Sequence, residues 1–335
     1  MDVTTSPQNN LNICVAGPGA IGISIATLLA AAGEKVTVIA RGDSYQAIAS
    51  WGLNLRLVDG DLQADVSVSD GSDIGIQDVL FLCSKSHDLL ALANRSRTAI
   101  GAKTIIVPVV NGIPWWYFHG IKGHHAGRPV TAVDPMKELA TVIPVTQTVG
   151  AVASFTSERL APGRAVALNP LKMVIGEIDD VERCRSRVLV DVLNRCGIET
   201  RLSTRIRDPL WTKVIANLMS NPLSVVAEAP LKHVCGGDDL SIISRKLIDE
   251  AMLVAASFGA RLEVDPNGLL EFGAGMGDAK TSMLQDFQSG RQLELDAICG
   301  AVLELASIHG IEMPLTTYIS GIARYKSTIA LSRAA

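Results

Sequence analysis

Aromatic residues, surplus positive charge and long apolar runs are all scarce in this sequence of 335 residues. Phe, Trp and Tyr make up 4% of it, and 30 Lys and Arg stand against 34 Asp and Glu, which gives a net charge of -4. A chain without surplus cations has no broad surface for a nucleic-acid backbone or an anionic membrane, so we expect neither as a partner. The longest weakly polar stretch falls well short of the roughly 18 residues that a membrane span requires.

Cysteines are few and scattered. All 6 stand alone, with no C-x-x-C pair and no spacing typical of zinc ligands, so we expect reduced thiols and no metal site. Residues 1–10 are polar and lack the basic and apolar regions of a signal peptide, which favours a cytoplasmic protein. A metal site at His119, His124 and His125 stays open as an alternative, although no carboxylate or cysteine pattern accompanies them.

The composition that remains, 48% hydrophobic and 19% charged, is that of a compact protein long enough for two domains. Its first part alternates short apolar runs with helical spacing, which is typical of an α/β fold. Helices are predicted at residues 20–32 and 180–197, and residues 53–69 alternate as an antiparallel hairpin does. Strands are predicted at residues 12–16, 35–40, 78–83, 104–110, 147–155 and 164–176, the last two around a turn at Pro162-Gly163.

Helical periodicity takes over from Pro209 onward, after a charged connector at residues 201–208. The predicted helices span residues 211–226, 239–258, 281–308 and 316–331. We therefore predict an α/β Rossmann-type dinucleotide-binding domain at residues 1–203, followed by an all-α helical domain at residues 204–335.

A glycine-rich motif follows the first predicted strand. It reads Gly17-Pro18-Gly19-Ala20-Ile21-Gly22 and matches G-x-G-x-x-G between a strand and a helix, the context in which this motif binds a dinucleotide. The first glycine permits the tight turn, the second lets a pyrophosphate approach the backbone, and the third lets the helix pack on the strand. The amino terminus of the helix adds free N–H groups and a positive dipole.

The end of the second predicted strand indicates which dinucleotide binds. Residues 36–40 contain no Asp or Glu, where an NAD site carries the acceptor for the ribose 2′-hydroxyl, and the next residue is Arg41. An arginine favours a 2′-phosphate, so NADP(H) is the predicted cofactor. The alternative is that Arg41 is a solvated cation and that Asp43 binds the ribose of NAD.

A polar stripe occupies one side of the helix predicted at residues 211–226. Lys213, Asn217 and Asn221 are spaced i, i+4, i+8, so they lie along one face of a helix that is otherwise apolar. Taken alone, such a stripe is typical of a solvated face. On a helix that is buried on several sides, the same stripe would face a cleft.

Ser282 and Glu294 belong to a second polar set and pose a geometric problem. In an unbroken helix the two residues would lie about 18 Å apart, too far for one small molecule to contact both. Either the helix breaks at Ser289-Gly290, or one of the two does not bind that molecule.

With these motifs the sequence resembles the ketopantoate reductase family, the NADP-dependent 2-dehydropantoate 2-reductases. The resemblance implies that NADPH reduces a small 2-oxo acid, 2-dehydropantoate, to pantoate for pantothenate synthesis, between a Rossmann domain and a helical domain. It rests on the glycine motif, Arg41, Lys85 in CSKSHD, Asn111-Gly112 after VPVV, Pro162-Gly163, the IGE of residues 175–177, W-x-K-x-x-x-N-x-x-x-N-P at residues 211–222, and S-M-x-x-D with G-R-x-x-E-x-D at residues 282–296.

The resemblance also implies a role for each matching residue. Lys213 and Glu294 are the implied catalytic pair, with Lys213 as the general acid and Glu294 as a carboxylate that would keep it charged. The implied substrate contacts are Asn111, Asn217, Asn221 and Ser282, and the implied cofactor contacts are residues 17–22, Arg41, Lys85 and Asn111. The family precedent favours the broken helix. A protein that only senses NADP(H) would need the glycine motif but not the joint presence of Lys213, Asn217, Asn221, Ser282 and Glu294, which favours an enzyme.

Two departures from the family pattern bear on the substrate. Asn111-Gly112 runs into the long segment IPWWYFHGIKGHHAGRPVTAVDP, and Leu293 stands where the family usually has a threonine. Because of these two departures, the alternative that the protein reduces a bulkier 2-oxo acid stays open. The aromatic residues 115–118 fit either a wall of the substrate pocket or the interface of a homodimer.

Overall fold

The computed structural model describes residues 11–334, which form two compact units. The first contains the described residues up to Val110, His119–Ile121 and Glu138–Ile206. The second contains Asn111–Phe118, Lys122–Lys137 and the chain from Arg207 onward. The second unit therefore includes two stretches from the middle of the chain, and the domain division after residue 203 stays a prediction. Residues 1–10, on which the expectation of no signal peptide rests, lie outside the described residues.

The first unit consists of β-sheets with helices packed on them. In chain order the strands are β1 (Asn12–Ala16), β2 (Lys35–Ile39), β3 (Leu53–Leu57), β4 (Gly60–Ala64), β5 (Ser67–Ser69), β6 (Val79–Leu82), β7 (Ile105–Pro108), β8 (Val149–Ala153), β9 (Ser157–Ala161), β10 (Arg164–Ala167), β11 (Lys172–Glu177) and β12 (Glu199–Leu202). The helices are α1 (Ala20–Ala31), α2 (Gly42–Trp51), α3 (Leu89–Arg95), α4 (Leu139–Val142) and α5 (Cys184–Arg195).

The largest sheet is parallel and has the strand order β5-β2-β1-β6-β7. From β1 the chain adds β2 and then β5 on one side of the sheet. It then crosses to the other side of β1 and adds β6 and β7 there. This reversal leaves a crevice at the carboxyl ends of β1 and β6, where doubly wound sheets bind ligands. Every residue of β6 is buried, as is β1 after its first residue, which explains their continuous apolar runs. The predicted α/β fold of the first half is confirmed.

Two smaller sheets, β4-β3-β10-β9 and β12-β11-β8, correct the sequence prediction. The hairpin predicted at residues 53–69 ends at Ala64, because Ser67–Ser69 instead completes the edge of the parallel sheet beside β2. The strand predicted at residues 164–176 is two strands in two sheets, because Pro170 lies between them and has no N–H to continue a ladder. The turn at Pro162-Gly163 joins β9 to β10, whereas β8 pairs with β11.

The connector predicted at residues 201–208 is also wrong. Arg201 and Leu202 belong to β12, where Arg201 pairs with Val174 through its backbone and leaves its side chain exposed. Arg207 already begins the next helix. Charge alone was a poor guide here, because a strand with one solvated face accepts charged side chains at alternate positions.

The second unit is helical, which confirms the second half of the predicted fold. Its helices are α6 (Arg207–Ala227), α7 (Leu231–Gly236), α8 (Leu240–Ser257), α9 (Pro266–Gly275), α10 (Ser282–Gln288), a π-helical turn (Asp296–Gly300), α11 (Ala301–Ile308) and α12 (Pro314–Ala334). Helix α6 lies at the centre of this unit, and α8, α10 and α12 pack on it. No helix among residues 11–334 is both long enough and apolar enough to cross a membrane.

The helix predicted at residues 281–308 is interrupted. Helix α10 ends at Gln288 because Gly290 adopts a left-handed conformation with a φ of +62°. The N–H groups of Gly290 and Arg291 then bond back to the carbonyls of Phe287 and Asp286, which satisfies the end of the helix. Helical structure resumes just after Glu294, so the predicted break at Ser289-Gly290 is confirmed.

The aromatic residues 115–118 are buried in the second unit, each at most 2% exposed. The indole Nε1 of Trp211 donates to the Tyr117 hydroxyl at 2.8 Å. The Arg207 guanidinium donates to the Tyr117 carbonyl at 2.9 Å and lies 5.6 Å from the centroid of the Trp116 ring. The interpretation of residues 115–118 as a homodimer interface is wrong, because these side chains are covered within one chain.

Replacement of Tyr117 by Phe should destabilise the protein. The change leaves the buried Trp211 Nε1 without its acceptor, which costs about 1–3 kcal/mol in the free energy of unfolding. Urea denaturation followed by tryptophan fluorescence measures this loss. Tyr318→Phe is the matched control, because Tyr318 is 67% exposed and its loss should change nothing. Equal stability of the two variants would show that the buried hydrogen bond is worth nothing.

Candidate functional site

The backbone around Gly17 and Gly22 leaves no room for a side chain. Gly17 has a φ of +88°, and a Cβ there would lie 2.2 Å from the carbonyl oxygen of Cys83, just beyond β6. A Cβ at Gly22 would lie 2.2 Å from the carbonyl oxygen of Gly17. The packing of the protein itself therefore requires glycine at both positions.

Gly19 differs from its two neighbours in the motif. Its φ of -74° suits any residue, and a Cβ there would meet nothing within 4 Å. Nothing in the fold of the described chain calls for a glycine at this position, whereas a ligand close to the backbone would. Gly19 is also the N-cap of α1 and has no capping side chain, so the first N–H groups of the helix are available to an anion. These residues fit the pyrophosphate of a dinucleotide.

The other predicted cofactor residues lie at the same edge of the sheet. Arg41 follows β2 as the N-cap of α2, and Lys85 follows β6 by three residues. Because β2, β1 and β6 are adjacent and parallel, their carboxyl ends carry Arg41, the glycine motif and Lys85 side by side. Ser84, which no sequence motif singles out, has a buried hydroxyl without a hydrogen-bond partner among the described residues.

The polar stripe on α6 is not a solvated face. Asn221 is 4% exposed, and its Nδ2 has no hydrogen-bond partner in the part of the chain that the structure describes. Lys213 and Asn217 are half-buried. A buried amide that lacks a partner costs about 1–3 kcal/mol, so a ligand that accepts from it would recover that cost. The stripe therefore has the character of a binding surface.

Burial lowers the pKa of Lys213. The cause is the loss of solvent around the ammonium, and no carboxylate contributes an opposing effect. That Glu294 keeps this lysine charged stays a prediction. Burial disfavours the ammonium relative to that of an exposed lysine, so Lys213 holds its proton less tightly and releases it more readily.

Glu294 and Asn111 lie together in the second unit. The Asn111 amide donates to Glu294 Oε2 at 3.4 Å across 183 residues of sequence. Glu294 is 6% exposed, and Asn111 is half-buried. A buried carboxylate next to a partly accessible amide forms a polar pair that can receive a hydroxyl or carbonyl group.

A π-helical turn just after Glu294 allows the segment at residues 111–113 to lie against it. The N–H of Ala301 would bond to Ala297 in an α-helix, but here it donates to Asp296, five residues back. The Ala297 carbonyl instead accepts the N–H of Ile113 at 2.9 Å. Gly112 makes this approach possible, since its φ is +82° and a Cβ there would lie 2.3 Å from the Ala297 oxygen. The sequence could have indicated Gly112, because Asn-Gly is typical of positive φ, but periodicity did not reveal the π-helical turn.

Ser282 is the exposed first residue of α10. Its neighbour Thr281 shares a hydrogen bond of 2.6 Å with Ser224, whose hydroxyl donates to the Asn221 carbonyl. This link holds the start of α10 about one turn of α6 away from Asn221. The structure thus brings together Asn111 with Glu294, and the start of α10 with the stripe on α6.

The histidines of the segment after Asn111 are divided between the two units. His119 lies in the first unit, and His124 and His125 lie in the second, where the His125 ring packs 5.6 Å from that of His309. Among the described residues, no group of three or more His, Cys, Asp or Glu side chains is placed to hold a metal ion.

Comparisons with known proteins agree on one family. The sequence profile described as "Ketopantoate reductase PanE/ApbA" matches residues 13–180, and the profile of its C-terminal domain matches residues 205–327. A 2-dehydropantoate 2-reductase from Mesorhizobium japonicum is 31% identical over 309 residues, which cover 92% of this chain and 94% of that protein.

Solved structures share the fold. A crystal structure from Ralstonia solanacearum MolK2, assigned as a ketopantoate reductase, has a TM-score of 0.91 and 28% identity, and covers 96% of this chain and 99% of that one. A D-mandelate dehydrogenase with NADH and anilino(oxo)acetate has a TM-score of 0.81 and 19% identity, and covers 95% and 99%. At 19% identity, the similarity to the D-mandelate dehydrogenase shows a shared fold and nothing more.

Gly19→Ala and Gly17→Ala should separate binding from stability. Alanine at Gly19 meets no atom, so the free protein should melt at an unchanged or slightly higher temperature. Its methyl group would obstruct the pyrophosphate, so dinucleotide affinity should fall about tenfold or more, or roughly 1.4 kcal/mol. Gly17→Ala should instead lower the melting temperature. Thermal melting and fluorescence titration measure the two effects, and unchanged affinity in Gly19→Ala would argue against a dinucleotide at this loop.

Proposed function

Because the chain belongs to the ketopantoate reductase family, a family of nicotinamide-dependent oxidoreductases, we propose that it reduces 2-dehydropantoate to pantoate with NADPH. The contact of Asn111 with Glu294 carries this proposal, because it joins two distant motifs beside a helix that bears Lys213. The product would serve pantothenate synthesis. Six unpaired thiols are in keeping with a reaction in the cytoplasm.

Lys213 is the proposed proton donor. A bound NADPH supplies a hydride, and a ketone carbon that accepts a hydride leaves negative charge on its oxygen. Lys213 has no hydrogen bond or ion pair in the described part of the chain, so its ammonium is available to that oxygen. Its lowered pKa makes it a stronger acid than an ordinary lysine, which favours proton transfer near neutral pH.

The remaining polar residues hold the substrate. The unpaired Nδ2 of Asn221 can donate to the substrate carboxylate, and Asn217 and Ser282 add neutral donors on the same side. Glu294 can accept a hydrogen bond from the hydroxyl of the product, with Asn111 fixing its orientation. Neutral donors orient the carboxylate without adding a second full charge beside Lys213.

Arg41 supports NADPH over NADH. It stands at the end of β2, where the ribose of a dinucleotide on the glycine motif would lie, and it is exposed. Asp43, in the first turn of α2, is the residue that would instead favour NADH.

A bulkier 2-oxo acid is the second candidate substrate. Leu293 is 5% exposed and directly precedes Glu294, so an apolar side chain lies where a hydroxyl would offer a polar contact. This replacement favours an apolar substituent on the substrate.

Loss of the Lys213 amine should remove most of the activity. We expect Lys213→Ala to lower kcat with 2-dehydropantoate by about 10²–10⁴-fold, the usual contribution of a general acid. Lys246→Ala is the control, since Lys246 is an exposed lysine on α8. NADPH oxidation is measured at 340 nm with 2-dehydropantoate and with a series of bulkier 2-oxo acids. Turnover by Lys213→Ala equal to that of the wild type would refute the role of Lys213, and binding of NADPH without turnover of any acid would favour a sensor.

The pH dependence should report the same lysine. Reduction needs protonated Lys213, so kcat/KM, which reports the protonation state of the free enzyme, should fall as the pH rises through the pKa of this residue. Because burial lowers that pKa, the fall should be centred below 10.5, the ordinary value for lysine. A pH–rate profile of the wild type measures this limb. The residual rate of Lys213→Ala should lack the limb, and its persistence would assign the titration to another group.

A further inference from the structure

Arg159 reaches the start of α2 from a distant part of the chain. It lies on β9, at the edge of the four-stranded sheet, and its Nη2 donates to the Ser44 hydroxyl at 3.1 Å. Ser44 is the third residue of α2, and Arg41 is the N-cap of the same helix. The contact therefore brings the Arg159 guanidinium to within about one helical turn of Arg41. All these residues belong to the first unit.

Neither of these two arginines is neutralised. Within the part of the chain that the structure describes, Arg41 and Arg159 form no ion pair, and Asp43 contacts neither of them. Five other arginines of the first unit have carboxylate partners, in the pairs Arg56 with Asp61, Arg183 with Asp179, Arg185 with Glu177, Arg187 with Glu182 and Arg195 with Glu34, whereas Arg164 on β10 has none among the described residues. Two arginines without a carboxylate partner, both at the first turn of α2, leave this turn with uncompensated positive charge, which a dianion bound there would balance.

The position of this pair suggests which dianion it would bind. The glycine motif follows β1, and Arg41 follows the adjacent strand β2 by two residues, with Arg159 held at the first turn of α2 through Ser44. In dinucleotide-binding sheets the adenosine ribose lies at the end of this second strand. The group that reaches this point is the substituent on the ribose 2′-oxygen, which in NADPH is a phosphomonoester.

We propose that Arg159 and Ser44 complete a 2′-phosphate site together with Arg41. The Arg159 fork offers N–H groups to two phosphate oxygens, and the Ser44 hydroxyl accepts from Arg159 while donating to a third. The inference rests on the proposed use of a dinucleotide, but it concerns a residue from another sheet that the motifs of β1 and β2 do not indicate. Discrimination between NADPH and NADH would then depend on the sheet β4-β3-β10-β9 as well as on Arg41.

The test uses two ligands that differ only in the 2′-phosphate. Adenosine 2′,5′-bisphosphate and adenosine 5′-monophosphate are titrated calorimetrically into the full-length protein at low salt. The variants are Arg159→Gln and Ser44→Ala. Arg164→Gln is the matched control, because Arg164 is an exposed arginine on the neighbouring strand β10.

Arg159→Gln should weaken binding of the bisphosphate about tenfold or more, the usual effect of one lost charge-assisted contact, and leave the monophosphate unchanged. Ser44→Ala should weaken the bisphosphate by a smaller factor, and Arg164→Gln should match the wild type. An unchanged preference for the bisphosphate in Arg159→Gln, or equal weakening of both ligands, would overturn the inference.

These outcomes are distinct from a failure of the proposed function. If the wild type binds both ligands equally, the use of NADPH is wrong and Asp43 becomes the residue to test. If the wild type prefers the bisphosphate and Arg159→Gln preserves that preference, only the role of Arg159 is wrong. Neither titration requires a 2-oxo acid, so the result does not depend on the identity of the substrate.

Discussion

Close contact between glycine backbones and carbonyl oxygens determines where both candidate sites lie. In the first unit, Gly17 packs against the carbonyl of Cys83, and this contact fixes the loop that starts α1 between β1 and β6. In the second unit, Gly112 packs against Ala297 and holds Asn111 beside Glu294. A single methyl group would separate the backbones at either place. The polar side chains of both sites depend on these approaches, although the glycines themselves contribute no chemistry.

Packing around α6 in the second unit buries polar groups together with apolar ones. The apolar face of this helix needs burial, and the same burial lowers the pKa of Lys213 and leaves the Nδ2 of Asn221 without a hydrogen-bond partner among the described residues. Both effects are unfavourable in the free protein. A substrate with a carboxylate and a developing negative charge would reverse both, because it accepts from the amide and stabilises the ammonium. In the proposed function, the cost of burial in the free protein would thus become selectivity for an anionic substrate.

Local patterns predicted the local features well. The strand, glycine loop and helix around residues 12–32 follow from composition and turn chemistry alone, and the break near Gly290 follows from the length of an α-helix. Patterns failed where distant segments meet. Periodicity does not show that residues 111–118 pack in the helical unit, that Arg159 reaches Ser44, or that Ala297 frees its carbonyl in a π-helical turn. The roles of Asn111 and Glu294 were suggested by family resemblance, and spacing alone did not relate them.

The membership of residues 111–118 in the helical unit has a consequence for synthesis on the ribosome. Two tryptophans, a tyrosine and a phenylalanine are translated well before Trp211, which pairs with Tyr117, and long before Ala297, which receives the N–H of Ile113. At about 5–20 residues per second, this aromatic stretch waits about 10–40 s before Ala297 has been made. Until Trp211 and Phe258 have also been made, Tyr117 and Phe118 lack the side chains that they contact in the folded protein, so the nascent chain carries aromatic surface that its own sequence does not yet cover.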